Sequence, residues 1–243
     1  MRALLAKEIS GFFSTLTGYI VVVVFLLMTS LLLWIFPGNM NILDGGYASM
    51  DSFFMLAPWI FLFLVPAITM RTFAEEKRSG TMELLSTRPV TDFQIIFAKY
   101  TAGVILVLLS FLPTLIYVIS LYFLGNPKGN LDMGGIWGSY TGLLFLTLIY
   151  TAIGIFSSSL TDNPIVAFLL AVFLSFIMFM GFDFLSSATS LQTVNLLVAR
   201  AGINEHYVSM SRGVLDSRDI IYFLSVIALF LLFTKFKMES RKW

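Results

Sequence analysis

The sequence has no cysteine, a single histidine at position 206, and charge on only 12% of its 243 residues. Without cysteine there is no disulfide, no thiolate metal site and no cysteine nucleophile. Zinc sites need clustered His, Cys or carboxylate ligands, and Glu205 is merely the chain neighbour of His206, so the composition argues against a metal. Neither H-E-x-x-H nor G-x-S-x-G occurs, which argues against metal-dependent or serine hydrolysis. A phosphate-cradling G-x-x-x-x-G-K-[ST] is also missing. The nearest stretch, Gly125-Asn126-Pro127-Lys128-Gly129, lacks its spacing, so the chain is read as having no ATPase site and no cofactor of its own. A net charge of +1 gives no electrostatic footprint for nucleic acid.

Soluble domains carry about 25% charge, and half that value excludes an ordinary soluble globule. What is present is apolar: 58% of the residues are hydrophobic and the mean hydropathy is +0.90. Apolar runs cover about 18–36, 53–70, 100–124, 136–160, 164–182 and 220–234. A spanning helix needs about 20 residues, so the expectation is an all-α integral membrane protein with six spans. Residues 1–243 then form one transmembrane domain with no room for a second folded module. None of the 29 charged residues falls inside the runs, as expected when a charge at mid-membrane costs about 2.5–3.5 kcal/mol. That distribution also argues against ion coupling, so energy for any uphill movement should enter from another subunit.

Lys and Arg set the orientation. Eleven of the fifteen lie in the N-terminal tail, the 71–99 connection and the C-terminal tail, which predicts both termini in the cytoplasm. Trp34, Trp59 and Trp137 then fall at the outer interface, where aromatic belts form. Ahead of the first run, Leu5, Ile9, Phe12 and Leu16 recur at helical spacing opposite Arg2, Lys7 and Ser10, the pattern of an interfacial helix. The first run is too long for a signal-peptide core and is read as part of the mature protein. Pro58, Pro66 and Pro113 predict kinks within spans. Gly142 and Gly154 allow close helix approach.

The one substantial cytoplasmic connection holds Glu75, Glu76, Lys77, Arg78, Gly80, Thr81, Met82, Glu83, Leu84 and Leu85. Thr81 is a candidate cap for a short helix, with Glu83 in its first turn, and Pro89 bars Arg88 from helical geometry. Thr91 and Gln94 form a capping box that opens the next span. The helix between them is expected to lie across the membrane surface and to present Met82, Leu84 and Leu85 to a partner. The 161–163 connection is a minimal turn, with Asn163 as N-cap and Pro164 at the first helical position.

The stretch from Glu75 to Leu85, followed by Pro89-Val90, resembles the first cytoplasmic loop of type-2 ABC transporter permeases. A second stretch, Ser211-Arg212-Gly213-Val214-Leu215-Asp216-Ser217-Arg218-Asp219 running on to Phe223, with the basic tail Arg241-Lys242-Trp243, is similar to the entry into the last span of one permease subgroup. That subgroup includes copper-processing and gliding-motility systems, and the nearest likeness is to the gliding-motility-associated permease subunit. The resemblance implies a six-helix permease whose first cytoplasmic loop carries the coupling helix that docks on a separate ATP-binding subunit, where ATP and Mg would be held. It further implies a dimer, formed with a second copy or with a homologous permease, in a bacterial inner membrane, and a re-entrant helical pair near the exit of the path.

For the outer connection at about 183–218, Leu191, Val194, Val198 and Ala201 predict a short helix at the outer leaflet. Arg212, Asp216, Arg218 and Asp219 either pair locally, meet lipid headgroups or belong to a solvated linker. Two further readings stand beside the permease: a membrane anchor for an ATP-driven machine that moves no substrate, and a stand-alone channel.

Overall fold

The structure, a computed structural model, describes residues 2–86, 91–188, 195, 198, 200–213 and 216–240, with side chains for all of these except 84–86 and 188. Among the described residues every regular element is helical. In chain order these are α1 (Arg2–Phe13), α2 (Leu16–Ser30), α3 (Asp51–Thr69), α4 (Arg71–Arg78), α5 (Thr81–Ser86), α6 (Asp92–Phe111), α7 (Leu115–Leu124), α8 (Met133–Leu160), α9 (Pro164–Phe176), α10 (Phe182–Ala188), α11 (Ile203–Ser211) and α12 (Ser217–Glu239). Single π-helical turns extend α2 through Leu31–Ile35 and join α9 to α10 through Ile177–Gly181.

Six segments among the described residues are long and apolar enough to cross a membrane: Leu16–Ile35, Asp51–Arg78, Asp92–Leu124, Met133–Leu160, Pro164–Ser187 and Ser217–Glu239. Several extend well beyond the apolar runs. The second continues to Arg78 and the third begins at Asp92, so the described part of the connection between the second and third apolar runs is mostly helix, and Lys99 lies within the third candidate segment rather than before it. Helical hydrogen bonding does not stop where apolarity does; it stops at caps. The Thr91–Gln94 capping box forms as expected, and Asn163 accepts from the Ile165 amide ahead of Pro164.

The bundle is organised around α8. In its most apolar stretch 72% of residues are buried, against 22% for α2 and for α9, so α8 is the axis and those two are peripheral. It packs on α3, α6, α9, α11 and α12. Small residues let it do so. A Cβ at Gly154 would lie 2.0 Å from Thr69 Oγ1, and one at Gly138 would lie 2.5 Å from the Gly213 Cα. Gly142 likewise faces Met210, whose Cβ would be 3.2 Å away.

The prolines act at two of the three expected bends. Pro113 sits in the 3-10 turn Leu112–Thr114 that separates α6 from α7, and Pro66 lies one turn before the break at Met70. That break is completed by a side chain: Ser158 Oγ on α8 accepts from the Phe73 and Ala74 amides at 3.0 and 3.1 Å and donates to the Met70 carbonyl at 2.9 Å. Inserting a hydroxyl into the backbone ladder is a recognised cause of bending. Pro58 is accommodated within α3.

The N-terminal segment is helical as expected. Leu4, Leu5, Glu8, Ile9 and Phe12 are half-buried, while Arg2, Lys7, Ser10 and Gly11 are exposed. Leu16 departs from the expected stripe. Thr15 caps α2 by accepting from the Gly18 amide, so Leu16 opens a new helix and is 77% exposed.

Candidate functional site

At the end of the bundle that carries α1, four charged side chains from three helices converge. Lys99 of α6 is wholly buried. Its ammonium lies 2.8 Å from Glu8 Oε1 of α1 and 3.0 Å from Glu76 Oε2 of α4, and it donates to the Thr72 carbonyl at 2.7 Å. The same ammonium stands 5.1 Å above the Phe73 ring. Lys7 of α1 reaches the other oxygen of Glu76 at 2.9 Å. Burial draws the Lys7 ammonium down, but the hydrogen bond and charge of Glu76, with Glu8 behind it, outweigh that and leave it raised above the usual lysine value. Buried charges survive only when paired and hydrogen-bonded. Here the pairing welds α1, α4 and α6 together.

The expected partner-facing residues therefore divide into two sets. Glu76 is buried in this cluster. Lys77 donates to the Ser159 carbonyl at the end of α8. Met82 is not presented outward, as the sequence led us to expect. It is 3% exposed and packs with Phe73, Ile95, Ile96, Ile155 and Met238, because the six-residue α5 folds back on the bundle. Outward remain Glu75, Arg78, Gly80, Thr81 and Glu83, all exposed. Gly80 ends α4 at a φ of 70°, a left-handed conformation that only glycine adopts without strain. The Thr81 hydroxyl turns back to Ser79 Oγ at 2.9 Å and to the Glu76 carbonyl at 3.4 Å, tying α5 to α4. The side chains of Leu84 and Leu85, and the expected stop at Arg88 and Pro89, lie outside the described residues. Beside α4, a groove of about 550 Å³ runs between Arg71, Glu75, Arg78 and the start of α9.

At the opposite end α11 is built into the bundle. Ile203, Tyr207 and Met210, at i, i+4 and i+7, are buried, and the Tyr207 hydroxyl donates to the Phe54 carbonyl at 2.7 Å. Burial pushes that hydroxyl up, so it remains a neutral donor. This helix at 203–211 is one the sequence reading did not single out; of the residues expected to form the outer helix, Val198 is helical and half-buried, Ala201 lies in a turn, and Leu191 and Val194 are outside the described residues. The sequence assigns His206 no side-chain partner and argues only against a metal there. Its Nδ1 is 2.6 Å from Asp219 Oδ1, its Nε2 is 2.9 Å from the Arg200 carbonyl, and its ring stacks on Tyr222 at 3.9 Å. The sequence signal was available in the Ile203, Tyr207, Met210 spacing after Gly202.

Of the outer residues singled out by sequence, Asp219 joins this cluster, Asp216 caps α12 by accepting from the Arg218 amide, and Arg212 and Arg218 are exposed. Gly213, at a φ of 80°, lets the chain pass against Gly138. Val214 and Leu215, and the tail at 241–243, lie outside the described residues. Among the described residues no group of three His or carboxylate side chains is placed to hold a metal. Between α3, α8 and α11 lies a cavity of about 740 Å³, walled by Phe54, Trp59, Phe179 and Tyr207.

Six apolar helices, one of them, α8, buried among the others, with ionic clusters confined to the two bundle ends and no metal-holding cluster among the described residues, define a multi-pass membrane protein. Its sequence matches the family described as ABC-2 family transporter protein over residues 8–201. The chain belongs to that family, and it is therefore a membrane component of the ABC-2 permease type, a class that associates with an ATP-binding subunit. The matched region begins inside α1 and holds five of the six candidate spans. No individual curated protein matches the chain.

Proposed function

We propose that this chain is one half of an ATP-driven exporter, receiving the ATP-binding subunit on the exposed surface of α4 and α5 and transmitting its motion to the spans. The observation that carries the reading is the division of one short segment into two sets of side chains. Arg78, Gly80, Thr81 and Glu83 face outward, while Glu76, Lys77 and Met82, interleaved with them, are anchored to α1, α6 and α8. A push on the outer set is delivered through the anchored set to several spans at once. Two ATPase subunits need two such surfaces, so the working unit is a dimer, with a second copy or a homologous permease. Both termini lie in the cytoplasm of a bacterial cell, by the distribution of Lys and Arg. The described part of the 182–211 segment, α10 and α11 linked by Asn204 to Asp183 at 2.7 Å, serves as the re-entrant pair at the exit of the path. The gliding-motility subgroup is supported by the 211–223 stretch, which lies beyond the matched residues.

The test is Glu83→Lys in the complete complex. Membrane insertion and the level of the protein should be unchanged, while ATP hydrolysis and transport become uncoupled. Unchanged partner binding and unchanged activity would sink the assignment of the docking surface. Purification with no nucleotide-binding subunit attached, and function without one, would favour a channel instead.

A further inference from the structure

A cavity of about 340 Å³ opens between α1, the start of α2, α3, α4 and α6. One end is charged, with Lys7, Glu8, Arg71, Glu75, Glu76 and Lys99 in its wall; the other is apolar, formed by Gly18, Val21, Ala67, Ile68 and Leu106. We propose that it binds a phospholipid with a zwitterionic headgroup, a phosphate and an ammonium of the phosphatidylethanolamine kind, with the start of an acyl chain in the apolar arm.

The charges decide the headgroup. Lys7 and Lys99 are consumed by Glu8 and Glu76, at 2.8 to 3.0 Å. Arg71 and Glu75 remain. They stand one turn apart on α4, both line the cavity, and among the described residues neither side chain holds an ion pair or a hydrogen bond with any other. Arg71 is half-buried rather than extended into solvent. A guanidinium recognises phosphate through paired N–H donors, and a carboxylate one turn away on the same face accepts from an ammonium. An anionic headgroup would satisfy Arg71 and be repelled by Glu75; a cationic one would meet the reverse. Only a headgroup bearing both signs is matched at both.

Size and place agree with this. Small-molecule sites start at about 300 Å³, so the cavity holds a headgroup and the first carbons, not a whole lipid. Its apolar arm is lined from α2, α3 and α6, all of which lie in candidate spans, and its charged end lies at their termini. That is the level at which a lipid headgroup meets its chains.

The test is lipid retention by the purified full-length protein, read by native mass spectrometry and by extraction after transfer from membranes of mixed phosphatidylethanolamine and phosphatidylglycerol. The wild type should keep phosphatidylethanolamine in preference to phosphatidylglycerol. The double variant Arg71→Gln, Glu75→Gln should weaken retention about tenfold or more, the worth of one lost charge-assisted hydrogen bond. Val21→Phe narrows the apolar arm without touching a charge, and it should weaken retention too; it carries the test if the double variant does not fold. Equal retention of the two lipids, or retention unchanged in Val21→Phe and the double variant, would overturn the proposal. So would displacement of the lipid by an equal concentration of phosphoethanolamine, which would assign the site to a soluble phosphate ester.

Discussion

Replacing Lys99 by Met tests the ionic weld at its centre. The substitution keeps the unbranched apolar stem of the side chain while removing the charge that faces Glu8 at 2.8 Å and Glu76 at 3.0 Å and stands 5.1 Å above the Phe73 ring. Removing one member of a buried ion pair costs about 3–5 kcal/mol, since the partner is left buried and uncompensated. Two features place this case at the lower end of that range. Lys7 still holds Glu76 at 2.9 Å, and the Glu8 side chain keeps 18% of its exposure and can be rehydrated. The Thr72 carbonyl also loses its 2.7 Å donor, which adds about 1 kcal/mol. The expected destabilisation is therefore about 4 kcal/mol. The triple variant Lys99→Met, Glu8→Gln, Glu76→Gln leaves no charge stranded, because Lys7 is 60% exposed and water can solvate it. It should return to within about 1 kcal/mol of the wild type. Unfolding in mixed micelles followed by helical circular dichroism measures both. Because the chain has no cysteine, spin labels at Ser10→Cys and Thr101→Cys would report separately whether α1 leaves α6. A Lys99→Met variant destabilised by less than about 1 kcal/mol, or a triple variant as unstable as the single, would refute a desolvated cluster.

Other substitutions probe the packing around it. Gly154→Ala normally favours a helix by about 0.5–1 kcal/mol, yet a Cβ 2.0 Å from Thr69 Oγ1 and 2.9 Å from Thr69 Cβ should reverse the sign and cost about 1–2 kcal/mol net; Thr69→Ala in the same chain should relieve only the part due to the hydroxyl, as a thermal melt of both variants would show. Met82→Ala, in a cluster where Met82 is 3% exposed, should cost about 2–3 kcal/mol and loosen α5, seen as faster amide exchange at 81–86 with exchange in α8 unaffected. His206→Leu removes the contacts to Asp219 and Arg200 at 2.6 and 2.9 Å and strands the Asp219 carboxylate. It should destabilise by about 2–3 kcal/mol, with proteolysis rising around α11 and the end carrying α4 and α5 unchanged. Because Lys7 is raised above its usual value, its tether to Glu76 is complete below the ordinary lysine range and is lost as pH climbs through the raised value; spin labels on α1 should gain mobility only in strong alkali.

Where the sequence reading fell short, the failures share a cause. The sequence predicts a short helix within 75–88 that presents Met82, which is instead buried, because charge and periodicity describe a helix face without saying what faces it. Glu76 and Lys99 looked like members of one solvated basic connection. They are neighbours only because side chains of α1, α4 and α6 meet at one end of the bundle, and the paired residues are 91 apart in the chain for Lys99 and Glu8 and 69 for Lys7 and Glu76. The pairing of His206 is hidden for the same reason: Asp219 is 13 residues away.

The sequence by itself determined the class of protein and its spans. Low charge, long apolar runs and the absence of nucleophile, metal and phosphate motifs are properties of composition. The caps at Thr91 and Asn163 are local, since they need only residues two or three positions away. The tertiary structure decided which charges are buried, which side of α5 faces out and what His206 pairs with. Those depend on which helix faces cross, and that is fixed by close approach at Gly138 and Gly154, by the hydroxyl of Ser158 and by pairing over long chain separations. Helical spacing along the chain encodes a face, but not the partner that covers it.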